Sequence, residues 1–254
     1  LKNSIYNLSY FRGFLTAINF LTIFPVKKAI PTEEELGQST AFFPITGALI
    51  GLFLVFSDAL LSQILPRQVN DIFLIGILIF ITGAIHIDGL ADTIDGFFSR
   101  KDRNGILDVM RDSRLGTMGG VGIFFFLILK FICLNSIASH YKSFALVVMP
   151  MFGRWSIVHM ALISSYARVG MGLGRVFCEK VKIKHWLFAS ATSLFAGIVL
   201  LGWKVIIVFF FILLITHLLH GYSKRKICGV TGDVFGAVNE FNETLTLIIL
   251  ITIM

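Results

Sequence analysis

Charge is scarce in this chain of 254 residues: Asp, Glu, Lys and Arg make up 15% of it, where a soluble domain carries about 25%. Cysteine is nearly absent. Cys133, Cys178 and Cys228 stand far apart, which excludes a disulfide scaffold and Cys-based metal clusters. Internal repeats and low-complexity stretches are lacking, and no signal-peptide pattern is visible. Apolar residues are abundant instead, at 56% with 26 Phe and a mean hydropathy of +0.85. Such a chain will not stay solvated as a disordered coil. Most of its length is expected to cross a bilayer.

A spanning helix needs roughly 20 apolar residues. Stretches that qualify are 41–61, 72–87, 118–138, 144–165, 186–202 and 205–220. A further apolar run, 245–254, is short for a span unless it extends back to 239, and 14–24 reads as interfacial or re-entrant. The expected fold class is all-α, a polytopic helical bundle of about six to eight transmembrane helices forming a single membrane-embedded domain over 1–254.

The cations give orientation. Seventeen of the 22 Lys and Arg lie before the first span or in the 88–117, 166–185 and 221–240 loops, and only Arg67, Lys142 and Lys204 lie in the intervening loops. This alternation is a positive-inside pattern. It places the N-terminus and the three long loops in the cytoplasm. The net charge of +7 then reflects topology and anionic lipid, not nucleic acid. Lys130 and Arg154 fall within spans; Lys130 and Asp58, near span ends, are expected to reach water. Arg154 faces either a phosphate or an acid. His159, His217 and His220 read as packed or interfacial, and the Phe124–Phe126 and Phe209–Phe211 runs as lipid-facing.

The acids crowd on the same side. Asp88, Asp92 and Asp95 follow i, i+4, i+7, which puts them within about 60° of one another on a helix. Three carboxylates on one face repel unless a cation sits among them, and a hard divalent ion with oxygen ligands suits them; the alternative is a solvated acidic helix end. Asp108 and Asp112 repeat the i, i+4 spacing. The order Asp92, Asp95, Gly96, Arg100, Gly105, Asp108, Asp112 resembles the signature of the CDP-alcohol phosphotransferases, membrane enzymes with two metals and a last aspartate as base. Its middle spacing is shorter, and Ser99 stands where that signature has Ala. Two more segments draw notice. Tyr166–Arg175, with Gly170, Gly172 and Gly174, is either a phosphate cradle or an ordinary basic loop. In Gly229–Glu243, Asp233, Glu240 and Glu243 share one face if helical.

The block from His86 to Gly96 and the block from Leu107 to Gly119, with Phe20–Pro25, Phe43–Gly47, Gly153-Arg154 and Thr231–Ala237 in the same order, closely resemble the cobalamin synthases, the adenosylcobinamide-GDP ribazoletransferases. One departure is Asp108, where Glu is more usual. The resemblance implies an integral membrane, Mg²⁺-dependent phosphotransferase with its site at the cytoplasmic face. It would move adenosylcobinamide phosphate from adenosylcobinamide-GDP to α-ribazole or its 5′-phosphate, releasing GMP and forming a phosphodiester. On this reading Asp88, Asp92, Asp95 and Asp108 hold Mg²⁺, and Asp112 is the base with His86 next in line. Arg100, Arg111, Arg114 and Arg154 contact phosphate, while Asp233, Asn239 and Glu240 hold substrate or a second metal. Membrane lipid is the expected surrounding, and a homo-oligomer is compatible. Two rivals are a CDP-alcohol-type lipid phosphotransferase and a cation or proton transporter.

Overall fold

The computed structural model describes residues 2–26, 30–170 and 172–254, with side chains from Tyr10 onward. Lys27 and Lys28, the side chain of Lys2, and Met171 of the glycine-rich loop lie outside the described residues. Among those described, the chain is helical with no strand. The helices are α1 (Lys2–Leu21), α2 (Glu33–Ser39), α3 (Phe43–Leu61), α4 (Arg67–Ile81), α5 (Ile85–Phe98) and α6 (Arg103–Val109). They continue with α7 (Thr117–Ser136), α8 (Ser139–Ile163), α9 (Leu173–Lys180), α10 (Ile183–Leu201), α11 (Val205–Ile227) and α12 (Gly232–Ile253).

Five stretches are long and apolar enough to cross a membrane, or six with the bent pair α4–α5. One of them, Ile183–Ile227, turns back at Gly202, where φ is +62°. A Cβ on Gly197 would run into Val205, so α10 and α11 are a helical hairpin and supply two passes. The bundle therefore has the architecture expected. Its last helix is a full 22 residues, running back past Asn239 to its cap at Thr231.

Burial ranks the helices. The spanning window of α8 is 89% buried and that of α12 78%, against 22% for the α10–α11 stretch. α8 and α12 are thus the core, and the hairpin lies towards lipid. α8 meets α3 at Gly47 and Gly51, where an added Cβ would run into the backbone at Pro150 and within 2.5 Å of Leu146 O. Small residues permit that approach, and in lipid, close packing replaces the hydrophobic drive. Phe124, Phe125, Phe210 and Phe211 are exposed as expected, but one Phe of each run turns inward. Phe126 stacks edge-on with Phe241 at 4.6 Å, and Phe209 lies 4.4 Å from Trp155.

Of the two charges expected to reach water, Lys130 does not, and Asp58 is partly exposed but held by internal partners. Lys130 is 2% exposed, inside the bundle. Asp58 accepts from Lys142 Nζ and from Asn70 Nδ2, each at 2.6 Å. Lys142 also pairs with the buried Asp71 at 2.6 Å, and Asn135 donates to Asp71 at 2.9 Å. This cluster ties α3, α4, α7 and α8 together at the end of the bundle away from the acidic loops. A charge in hydrocarbon is expensive unless paired and hydrogen-bonded, and each member here is.

The stretch 72–87 is not one straight helix. The chain turns through 88° between α4 and α5. Gly83 and Ala84 take left-handed φ values of +58° and +59°, which end one helix and redirect the next.

Candidate active site

The bend sets α5 across the N-terminal part of α12. The two backbones nearly touch. A Cβ on Gly89 would lie 2.7 Å from Asp233 O, and one on Gly236 2.9 Å from His86 O. Asp88 and Asp92, one turn apart on α5, are thereby set beside Asp233 of α12. Asp88 is exposed and Asp92 half-buried. Asp92 lies close enough to Asp88, Asp95 and Asp233 for their charges to act on it. Neither Asp88 nor Asp92 has a hydrogen-bond or ion-pair partner among the described residues.

The Asp233 carboxylate is placed by two hydrogen bonds. Thr231 caps α12, its Oγ1 accepting from the Val234 amide at 3.4 Å and donating to Asp233 Oδ2 at 3.1 Å. Arg168 Nη2 donates to the same carboxylate oxygen at 2.9 Å and to Met110 O at 3.2 Å. The Arg168 loop is itself held to the α12 entry. The Ala167 amide donates to Val230 O, and the Val230 amide to Ser165 O, both at 2.9 Å. Sequence reasoning left this loop as either a phosphate cradle or an ordinary basic loop and did not pair Arg168 with Asp233; a contact 65 residues away in sequence leaves no local signal.

Asp95 shares the α5 face with Asp92, as its spacing requires, yet its oxygens are engaged elsewhere. The Gly116 amide donates to Oδ2 and the Gly119 amide to Oδ1, both at 2.8 Å. Asp95 is the N-terminal cap of α7, supplied from another helix, and a negative charge there also complements the helix dipole. This is a different duty from the metal ligation expected of it.

Asp108 and Asp112 do not share one helical face. α6 ends at Val109. Asp112 Oδ1 accepts from the Arg114 amide at 3.1 Å, a local turn that competes with helix continuation. The Arg114 guanidinium closes on Asp112 through Nη2 at 2.5 Å and Nε at 2.9 Å. That side-chain bond, then the backbone bond, holds the Asp112 carboxyl down at about 2. Asp112, Arg114 and Asp95 line one cleft of about 360 Å³. Asp108, Arg100 and Arg111 are exposed, and their side chains have no partner among the described residues.

Four expected site residues sit away from this face. Asn239 and Glu240 lie about 10 Å further along α12 than Asp233. Lys130 pairs there with Glu240 at 2.6 Å and with Glu243, and Arg154 pairs with Glu243. Asn239 Nδ2 donates to Glu243 at 3.1 Å, and His86 Nδ1 stands 3.3 Å from Arg154 Nη2. His86, Arg154, Asn239 and Glu240 are 0–6% exposed. Arg154 therefore faces an acid, not an open phosphate site. This buried network of two cations and two anions joins α5, α7, α8 and α12 beneath the exposed carboxylates. Glu243, its hub, was legible only as the third member of a helical face.

Residues 13–251 match the cobalamin-5-phosphate synthase family. A relative from Geotalea daltonii is 39% identical over 243 residues, covering 95% of this chain and 98% of the relative. One from Caldanaerobacter subterraneus subsp. tengcongensis is 37% identical over 239 residues, covering 93% and 96%. One from Clostridium tetani is 33% identical over 252 residues, covering 97% and 99%. The chain belongs to the cobalamin-5-phosphate synthase family. All three relatives carry the name adenosylcobinamide-GDP ribazoletransferase. No solved structure matches, so the geometry above describes this synthase family member on its own terms.

A divalent cation fits the donor chemistry here, in a restricted form. Among the described residues no three His, Cys, Asp or Glu side chains converge into a metal cage. Mg²⁺ seldom needs one: it is held through one or two carboxylates, with water and substrate phosphate completing the octahedron. Asp88 and Asp92, all-oxygen donors without partners and surrounded by like charge, meet that need. Asp95 does not offer a free oxygen pair.

Proposed function

We propose that this protein joins the two halves of a cobalamin. It transfers adenosylcobinamide phosphate from adenosylcobinamide-GDP to a ribose hydroxyl of α-ribazole or its 5′-phosphate. A P–O bond forms to that hydroxyl oxygen, the diphosphate P–O bond breaks, GMP leaves with the electron pair, and the hydroxyl proton passes to a base. The observation that carries the reading is the half-buried, unpartnered Asp92 among Asp88, Asp95 and Asp233, in a chain whose relatives bear that enzyme name over nearly their whole length.

The residues divide the work. Asp88 and Asp92 are the Mg²⁺ ligands, with Asp108 a third carboxylate on the exposed side of α6. Mg²⁺ when bound neutralises diphosphate charge and orients it. Asp112 is the base. Held at about 2, it is ionised at neutral pH and accepts a proton once Arg114 shifts from it to a substrate oxygen. Arg100 and Arg111, exposed cations without a partner among the described residues, are suited to phosphate. Asp95 positions Gly116 and Gly119, and so the turn that carries Asp112 and Arg114. The site lies at the cytoplasmic face of an inner membrane by the cation pattern, with the whole chain as one domain.

The transporter reading gains the bent α4–α5 pair, since broken helices mark such proteins. It loses on the deep acids: Glu240 and Glu243, beneath the acidic face, are neutralised by Lys130 and Arg154. The test is an assay of the full chain in detergent with adenosylcobinamide-GDP, α-ribazole and Mg²⁺. GMP release matched by phosphodiester formation is expected, and EDTA should stop it. Release of CMP from CDP-diacylglycerol, with no reaction of the cobinamide substrate, would refute the proposal in favour of a lipid phosphotransferase.

A further inference from the structure

A second cleft, of about 380 Å³, opens beside the carboxylates between the loop after α8 and helix α9, lined by Ser165, Tyr166, Arg168, Gly170, Arg175 and Glu179 among others. Arg168, which holds Asp233, and Ser165, whose carbonyl holds Val230, tie it to the site described above, and the other lining residues named here have no role there. Ligand sites run from about 300 Å³ upward, so the cleft has room for a nucleotide.

Its cations are only partly engaged. Arg168 uses Nη2 for Asp233 and Met110, while its Nε is buried without a hydrogen-bond partner. Arg175 donates to Glu179 through Nε at 2.6 Å, leaving both terminal nitrogens without a partner among the described residues. A guanidinium offers five N–H donors in a fork that matches phosphate. Backbone can approach a ligand here too: a Cβ on Gly170, at φ +105°, would meet nothing within 4 Å. The loop is nonetheless braced. Gly172 lies against the Tyr166 hydroxyl, where a Cβ would stand 2.6 Å away, and Gly174 lies against the Gly232 amide. Glu179 opposes an anion, and its pairing with Arg175 keeps the cleft neutral until one arrives. Through Arg168 and Asp233 the cleft reaches the proposed metal ligands.

We infer that this cleft is the phosphate subsite for a nucleoside 5′-phosphate, with Arg168 and Arg175 as its anion-binding residues. The inference rests on the proposed transferase reading, in which two such phosphates occur: that of the departing guanosine nucleotide and that of the α-ribazole acceptor. Arg175 is 45% exposed in its side chain, so replacing it does not threaten the fold.

The test is equilibrium binding to the full chain in lipid nanodiscs with EDTA present, so that only the protein's own cations are read. The probes are GMP against guanosine, and α-ribazole 5′-phosphate against α-ribazole. Wild type should prefer at least one phosphorylated form by about tenfold or more, the worth of hydrogen bonds to a charged group. Arg175→Gln should abolish most of that preference, Arg175→Lys should restore part, and Glu179→Gln should raise it. A fall confined to GMP assigns the cleft to the leaving nucleotide; one confined to α-ribazole 5′-phosphate assigns it to the acceptor. Either supports the inference. Preferences unchanged in both Arg175→Gln and Arg168→Lys, while wild type still turns over adenosylcobinamide-GDP, would overturn the subsite and leave the transferase reading intact. A phosphate preference that Arg175→Gln removes, in a protein without that turnover, supports the subsite and removes the transferase.

Discussion

Replacing Asp95 with Asn separates two duties that one carboxylate could have. The structure has Asp95 accepting two amide hydrogen bonds at 2.8 Å, from Gly116 and Gly119. Hydrogen bonds to a charged acceptor contribute about 1.5–3 kcal/mol each, and helix caps typically about 1 kcal/mol. Asn keeps one carbonyl oxygen, now uncharged, and turns an NH₂ towards the other amide. The loss is therefore about one full bond and part of a second, roughly 2–4 kcal/mol. For a chain of this size that is a fall in Tm of about 5–10 °C. Gly119→Ala should give a similar fall, since its Cβ would run into Asp95 Oδ2 and stand 2.9 Å from Ala91 O. The two changes disrupt one contact, so the double variant should lose much less than the sum. Thermal unfolding in detergent reads the stability, and Mn²⁺ binding reads the metal site. The expected result for Asp95→Asn is a lower Tm with metal affinity within about threefold of wild type; Asp92→Asn should do the reverse. If Asp95→Asn leaves Tm unchanged and weakens Mn²⁺ tenfold or more, Asp95 is a ligand and the capping argument fails.

Lys130→Met leaves Glu240 and Glu243 sharing Arg154 alone, and should destabilise the protein by about 3–5 kcal/mol; adding Glu240→Gln should recover part of this, and an unchanged Tm for Lys130→Met would refute a structural network. Cys228 is exposed at the end of α11, so an impermeant maleimide should label it in inside-out vesicles and not in intact cells; labelling from outside would reverse the proposed orientation. Asp112→Asn should lower kcat by about 10²–10⁴ with little change in Tm or Mn²⁺ affinity. Because the Asp112 carboxyl is held down at about 2, it is ionised throughout pH 5–9. Any acid limb of kcat in that range should therefore persist in Arg114→Gln, and a limb that Arg114→Gln shifts by a full unit would show that Asp112 titrates there.

How much of this was legible in the sequence depends on the range of each contact. Hydropathy sees composition along the chain, so it found the spans, and i, i+4 spacing placed Asp88 and Asp92 on one face of α5. It could not see direction: 72–87 reads as a continuous apolar run, yet it turns at Gly83 and Ala84, and that turn lays the carboxylates against α12. Periodicity assigns a residue to a face but not to a partner. Lys130, Glu240 and Glu243 each read as a charge near a span, while their pairing joins positions 110 and 113 residues apart. Asp95 shows the same limit: its face was right, and its donors, the Gly116 and Gly119 amides, stand at the start of another helix. The Asp108–Asp112 spacing failed for a local reason, since the Asp112 side chain bonds the Arg114 amide and ends the helical path. The errors fall on one side. Charges assigned to substrate or solvent were found paired within the protein, because a carboxylate or guanidinium inside a bilayer must find an internal partner. By the same reasoning Asp92, half-buried and without a partner among the described residues, is the charge on the acidic face for which a ligand is proposed.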